Sequence, residues 1–411
     1  MRVRETALAT GVALALACGT ARAPAPDDGP RRYRDHMELL KANLQVVELV
    51  DEDGTARVAL VPAYQGRVMT STAAGLDGAS LGWVNEELVT SWETLPHMNP
   101  YGGEDRFWLG PEGGQFALFF EKGSAFDLEQ WQTPALIDTE PFELMAASSE
   151  RAAFRRRASL TNYAGFTFDL HIDRTVRLLE ETEVRSAFRV DVPEEVGLVA
   201  FASENRVTNA GQEPWQKETG LPSIWILGMF PPSPEATVVL PFIPGAEEDL
   251  GPVVNDAYFG SVPPDRLVVG TERLFFRADG QYRSKIGIPP QRATPICGAY
   301  DPAREVLTLV SLTLPMGAHD YVNSMWEIQD EPYGGDVVNS YNDGPPESGA
   351  EPLGPFYELE SSSPALELAP GESYEHVHRT AHFLGSDEAL DPIARAALGV
   401  GIAEIRAAFA D

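Results

Sequence analysis

Five segments place acids, bases and hydrogen-bond donors close enough in the chain to do proton chemistry. The first is Phe356-Tyr357-Glu358-Leu359-Glu360-Ser361-Ser362-Ser363-Pro364. On an extended strand Glu358 and Glu360 share one face. Two carboxylates so placed repel, which can raise a pKa towards that of a general acid or base. On an acidic protein the same pair also fits a solvated strand face. The second is Glu375-His376-Val377-His378-Arg379-Thr380-Ala381-His382. Here His376, His378 and His382 point the same way from a strand, with the first two about 7 Å apart at ~3.4 Å per residue. Such a row suits a proton donor near neutral pH or an H-x-H metal pair, and equally a set of hydrogen-bonded surface histidines. No H-E-x-x-H, Cys/His cluster or EF-hand loop accompanies it, so no metal is expected.

The remaining segments offer binding groups. Asn99 to Gly114 gathers five glycines with Glu104, Asp105, Arg106, Phe107 and Trp108. Glycines let the backbone approach a ligand, Arg106 presents a planar fork of donors, and Trp108 a flat face on which a sugar ring stacks. The competing reading is a structural loop in which an acid pairs with Arg106. Asn339 to Pro346 reads as a polar loop, with Asn342 either a hydroxyl binder or a turn former. Lys285, in Ser284-Lys285-Ile286-Gly287, either faces a cleft or snorkels to the surface. Neither a G-x-S-x-G elbow, a P-loop nor a G-x-G-x-x-G fingerprint occurs, so serine-hydrolase, nucleotide and NAD chemistry fall away and no cofactor is expected.

Short apolar runs must carry these groups: Leu44–Val50, Arg57–Val61, Arg67–Ser71, Phe116–Phe120, Arg185–Val190, Val196–Phe201, Thr237–Leu240, Leu267–Val269, Val306–Leu314 and His376–Phe383. Turn signals such as Asp53-Gly54, Asp279-Gly280 and Pro370-Gly371 separate them. Helical spacing is confined to Asp35–Leu44 and Asp391–Phe409, the latter interrupted at Gly399 and Gly401. The pattern predicts an all-β fold, a large sandwich with short N- and C-terminal helices, in one domain over residues 36–411.

The formal net charge is −31, which repels phosphate backbones and excludes nucleic acid as a partner. Arg2, Arg4 and the apolar stretch Ala7–Ala17 read as an export signal, too short to span a bilayer. Leu14-Ala15-Leu16-Ala17-Cys18 resembles a lipobox, predicting lipidation at Cys18 after a signal peptide over 1–18. Ala21-Arg22-Ala23 offers ordinary cleavage instead. Residues 19–35 then read as a tether, and the expected location is the cell envelope, with the membrane touched only through the lipid. Cys297, the second of two cysteines, would stand alone as a buried small apolar residue.

Several of these stretches resemble galactose mutarotase-like proteins, the superfamily of the aldose 1-epimerases. Val61-Pro62 through Gly66-Arg67-Val68-Met69-Thr70-Ser71 resembles their early strand, and Val207-Thr208-Asn209-Ala210-Gly211 their central strand and turn. Leu359-Glu360-Ser361-Ser362-Ser363-Pro364, followed by Leu368-Ala369-Pro370-Gly371-Glu372, resembles their late strand pair. With the Gly-Gly-Glu-Asp-Arg-Phe-Trp segment, the pattern looks most like exported lipoproteins related to that superfamily. The resemblance implies a supersandwich with a sugar on a concave sheet face, Glu360 as base and Glu358 tuning it. The family's acid is a histidine, but the comparable region here, Trp215 to Met229, contains none. His376 or His378 are then the expected acid, with Glu104, Arg106, Trp108, Lys285 and Asn342 holding the sugar. The expectation is a monomeric, carbohydrate-active envelope protein working at an anomeric carbon; a non-catalytic glycan-binding lipoprotein is the alternative.

Overall fold

The apolar residues Tyr33, Met37 and Leu40 recur at helical spacing, and α1 (Tyr33–Asn43) buries them. It starts two residues before the expected Asp35, because Asp35 caps the first turn by accepting from the Arg32 backbone N–H at 3.4 Å. The computed structural model describes residues 31–346 and 349–410; the expected export signal and Cys18 lie outside them.

The chain then lays down three antiparallel sheets. β1 (Val47–Val50), β2 (Arg57–Val61) and β3 (Arg67–Thr72) form the first, on which α1 and α2 (Glu86–Ser91) pack through Met37, Leu40, Leu88 and Val89. β4 (Arg106–Gly110) enters a five-stranded sheet. After the single turn α3 (Ala135–Asp138) come β5 (Glu143–Ala147), β6 (Arg151–Thr161), β7 (Thr167–Leu178), α4 (Glu181–Phe188) and β8 (Gly197–Asn209). β9 (Ser223–Phe230), β10 (Thr237–Pro241), a second single turn α5 (Glu247–Leu250), β11 (Leu267–Val269) and β12 (Arg273–Arg277) follow. Next are β13 (Ser284–Ile288), β14 (Ile296–Asp301), β15 (Val306–Leu312), β16 (Val338–Asn342), β17 (Tyr357–Ser362) and β18 (Ser373–Leu384), then α6 (Asp387–Leu398) and α7 (Ile402–Ala407). The large sheet runs β11-β12-β10-β14-β15-β18-β8-β7-β6-β5 and the five-stranded one β13-β16-β17-β9-β4.

The fold is all-β, a sandwich of these two sheets. Phe107, Leu109, Ile224 and Ile226 pack against Phe154, Phe168, Ile172 and Phe201 of the large sheet. Ile286, Val338 and Leu359 pack against Val238, Cys297 and Val310. Cys297 is a free thiol buried in that layer. Beyond the large sheet, α4, α6 and α7 cover its outer face through Val184, Phe188, Ile393 and Ile405.

Three sequence expectations change. Phe116–Phe120 forms turns rather than a strand, because its rings fold back on Trp131 and Trp326. Arg185–Val190 lies mostly in α4, where a capping box from Glu180 to Glu183 starts a helix that buries Val184 and Phe188. Asn339–Asn342 is not a loop but strand β16, paired on both edges.

Candidate functional site

Strand parity decides which chemistry-bearing residues meet. In β17 the even positions Glu358 and Glu360 point away from the large sheet, while Tyr357, Leu359 and Ser361 point towards it. The register carries that outer face across the whole sheet: Glu358 lies opposite Tyr341, and Glu360 opposite Asn339 on one side and Leu227 on the other. Arg106 and Trp108 of β4 continue it past Leu227 and Trp225, and Lys285 of β13 sits opposite Tyr341.

Buried ion pairs organise this face. Arg106 donates to Glu358 Oε1, and its guanidinium lies 4.8 Å above the Trp108 ring. Glu360, with none of its surface exposed, accepts through Oε2 from Trp225 Nε1 and Lys285 Nζ, both at 2.9 Å. Its Oε1 has no partner among the described residues. Lys285 Nζ is also 4.6 Å from the centre of the Trp225 ring and 5.4 Å from that of Tyr258, so aromatic faces share the task of solvating it. Burial drives the Glu358 carboxyl well above the usual range; Arg106 opposes that shift and the Glu360 charge adds to it. A recess opens beside these pairs, lined by Trp225, Lys285, Asn339, Tyr258, Asp336 and Ser324.

The structure therefore unites Glu358, Glu360, Arg106, Trp108 and Lys285. It separates them from the other expected residues. His376 Nε2 and His378 Nδ1 each lie 2.8 Å from Ser361 Oγ, on the side of the five-stranded sheet opposite the carboxylates. This corrects the expected acid: the row of alternate histidines on β18 faces the interior of the sandwich. Burial holds His376 down to about 3 and His378 down to about 4, so both rings are neutral and cut off from the recess. Glu104 is likewise corrected. It faces inward, taking Ser71 N–H and Ser71 Oγ–H and lying 2.9 Å from His382 Nε2. Asp105 pairs with Arg174 at 2.6 Å, not with Arg106. Asn342 holds a turn: its Nδ2 donates to Tyr282 O and its Oδ1 accepts from Gly280 N, both at 2.9 Å.

Trp225, Tyr258 and Asp336 were not found from sequence. Trp225 hides in Ser223–Phe230, where every residue is buried, so no alternation marks a special face. Asp336 follows the pair Gly334-Gly335, a signal of close backbone packing, while Tyr258 lies in an irregular stretch without pattern.

The described residues contain no group of three or more His, Cys, Asp or Glu able to hold a metal ion, and no helix long and apolar enough to cross a membrane. Among curated proteins none matches the chain in sequence. A family model described as "Family of unknown function (DUF6786)" matches residues 31–409. Among solved structures the chain is similar to the Slr1438 protein from Synechocystis, at 14% identity and a TM-score of 0.48, covering 83% of this chain and 96% of that one. It is also similar to a galactose mutarotase-like protein from Lactobacillus casei, at 11% identity and 0.47, covering 82% and 100%. A galactose mutarotase related enzyme from Lactobacillus acidophilus aligns at 8% identity and 0.45, covering 83% and 98%.

Proposed function

The chain belongs to the DUF6786 family, and for this member we propose a carbohydrate-active function in which the outer face of the five-stranded sheet binds a sugar and moves protons at its anomeric carbon. One observation carries the reading. Two carboxylates, Glu358 and Glu360, are buried on one face, and each is held by its own cation. Burying two charged pairs costs desolvation energy that only close geometry and further hydrogen bonds repay, and at Glu360 one oxygen is left without such a bond among the described residues. The unpartnered Glu360 Oε1 is the natural proton acceptor for an anomeric hydroxyl. Trp225 lines the recess beside polar groups, the composition sugar sites need, and Trp108 backs it edge to face at 5.5 Å. The sequence resemblance to galactose mutarotase-like proteins points the same way, and on this reading the expected export signal over residues 1–18 would have the protein act at the cell envelope.

The recess is narrow, and on this reading it widens as the sugar binds. The test is polarimetry of mutarotation on residues 31–411, with D-glucose, D-galactose and other neutral aldoses. Acceleration over the spontaneous rate is expected, and Glu360→Gln should remove it by a factor of about 10²–10⁴ while the thermal midpoint stays within a few degrees. Full turnover in that variant would end the assignment of Glu360 as base.

A second reading rests on the histidines facing away: the site binds a glycan without turning it over. Sugar binding by calorimetry that survives Glu360→Gln, with no acceleration by the wild type, would establish it.

A further inference from the structure

The histidine row cannot supply the acid that ring opening needs, so the recess itself must. Asp336 lies on its wall, 5% exposed. Its Oδ2 accepts from Tyr258 Oη at 2.7 Å and from Asn255 Nδ2 at 3.0 Å. Asn339 Nδ2 in turn reaches Tyr258 Oη at 3.4 Å, and Asn339 is the residue paired with Glu360 across β16 and β17. Gly287 makes room for this arrangement: a Cβ there would fall 2.1 Å from Asp336 Oδ2. The carboxyl is thus packed against β13 beside Lys285 and the Trp225 face.

We propose that Asp336, positioned by Tyr258, is the general acid that works opposite Glu360. This rests on the sugar-site reading above. In ring opening Glu360 Oε1 takes the proton of the anomeric hydroxyl, and the electron pair of that O–H bond becomes the second bond of the new carbonyl. The bond from the anomeric carbon to the ring oxygen breaks, its pair stays on the ring oxygen, and that oxygen takes the Asp336 proton. Rotation of the carbonyl and the reverse transfers close the other anomer and restore both carboxyls. The net reaction consumes no other reagent. Burial supports the assignment by pushing the Asp336 carboxyl up to about 6, against the hydrogen bonds from Tyr258 and Asn255 and the Lys285 charge. Around it stand Tyr258 from the 255–260 segment and Lys285 of β13, with Glu360 of β17 behind Lys285.

The experiment is the pH profile of mutarotation, by polarimetry, for wild type, Asp336→Asn and Tyr258→Phe, with D-glucose and D-galactose. Asp336→Asn should lose about 100-fold or more in kcat, keep KM within about threefold, and lose the limb of the profile near pH 6. Tyr258→Phe removes a hydrogen bond to the carboxylate, so it should retain partial activity with that limb moved to higher pH. The proposal is overturned if Asp336→Asn keeps its kcat, or if the limb stays in place in both variants. If wild type accelerates neither sugar, the acid–base reading falls and Asp336 falls with it. An active wild type with an active Asp336→Asn sinks the acid alone.

Discussion

Ser361 Oγ carries one proton and lies within hydrogen-bond distance of two imidazoles. It can donate to only one of them, so the other must donate to it. If Ser361 donates to His378 Nδ1, then His376 carries its proton on Nε2, and so does His378. If Ser361 donates to His376 Nε2, both rings carry the proton on Nδ1. The two histidines therefore always share a tautomer, which ¹⁵N shifts of the labelled rings can read directly. Their burial has a further consequence for stability. Both pKa values are lowered in the folded state, so the unfolded chain binds more protons between pH 6.5 and about 4. Stability is intact above pH 6.5 and falls as pH drops through that window, by about 1.4 kcal/mol per unit for each ring. Asp336 acts with the opposite sign, because its raised carboxyl binds a proton more tightly when folded. Denaturant midpoints from pH 7 to 4.5 should fall more steeply in wild type than in a His376→Asn, His378→Asn double variant; parallel curves would mean the rings are solvated.

Glycines set the direction of strand β4. Gly102 and Gly103 adopt φ of +92° and +112°, a region that disfavours side chains. A Cβ on Gly102 would sit 2.1 Å from the Trp83 carbonyl oxygen. This tight passage lets Glu104 and Asp105 turn into the sandwich while Arg106, one residue later, turns out to Glu358. Gly102→Ala should cost about 2–3 kcal/mol of unfolding free energy, measured by denaturant titration. Gly123→Ala, at φ +85° with nothing within 4 Å, should cost about 1 kcal/mol. Equal losses would show that the Trp83 contact yields. Legibility from sequence divides at this scale. The alternation Glu358/Glu360 and the row His376/His378/His382 were readable, because period two is a local property of a strand. Which side of the sheet each row would face was not, since that depends on the partner layer. The helix at Arg185 was missed because an apolar pair at Val184 and Phe188 fits either period in so short a run. Asp336 and Tyr258 meet from two separate loops 78 residues apart, with β11 to β15 between them, and no local pattern announces such a contact.

Across the molecule the net charge of −31 sets a background of self-repulsion. Added salt should screen it, so the thermal midpoint is expected to rise by a few degrees from ~10 mM to ~300 mM sodium chloride. A fall would mean that local pairs, such as Arg177 with Glu183 and Glu204 at 2.9 Å, outweigh the background. The five-stranded sheet divides this molecule into two territories. Its inward residues, Ser361 and Leu359 among them, belong to packing, and its outward residues, Glu358 and Glu360, to the buried ion pairs beside the recess. Neighbouring positions of one strand thus answer to different selective pressures. Under the proposed function, outward positions can drift between ligands, or lose reactivity altogether, while inward ones keep the sandwich folded. A lineage built on this wall can change its trade without rebuilding its house, and divergence should accumulate along β17 in a beat of every second residue.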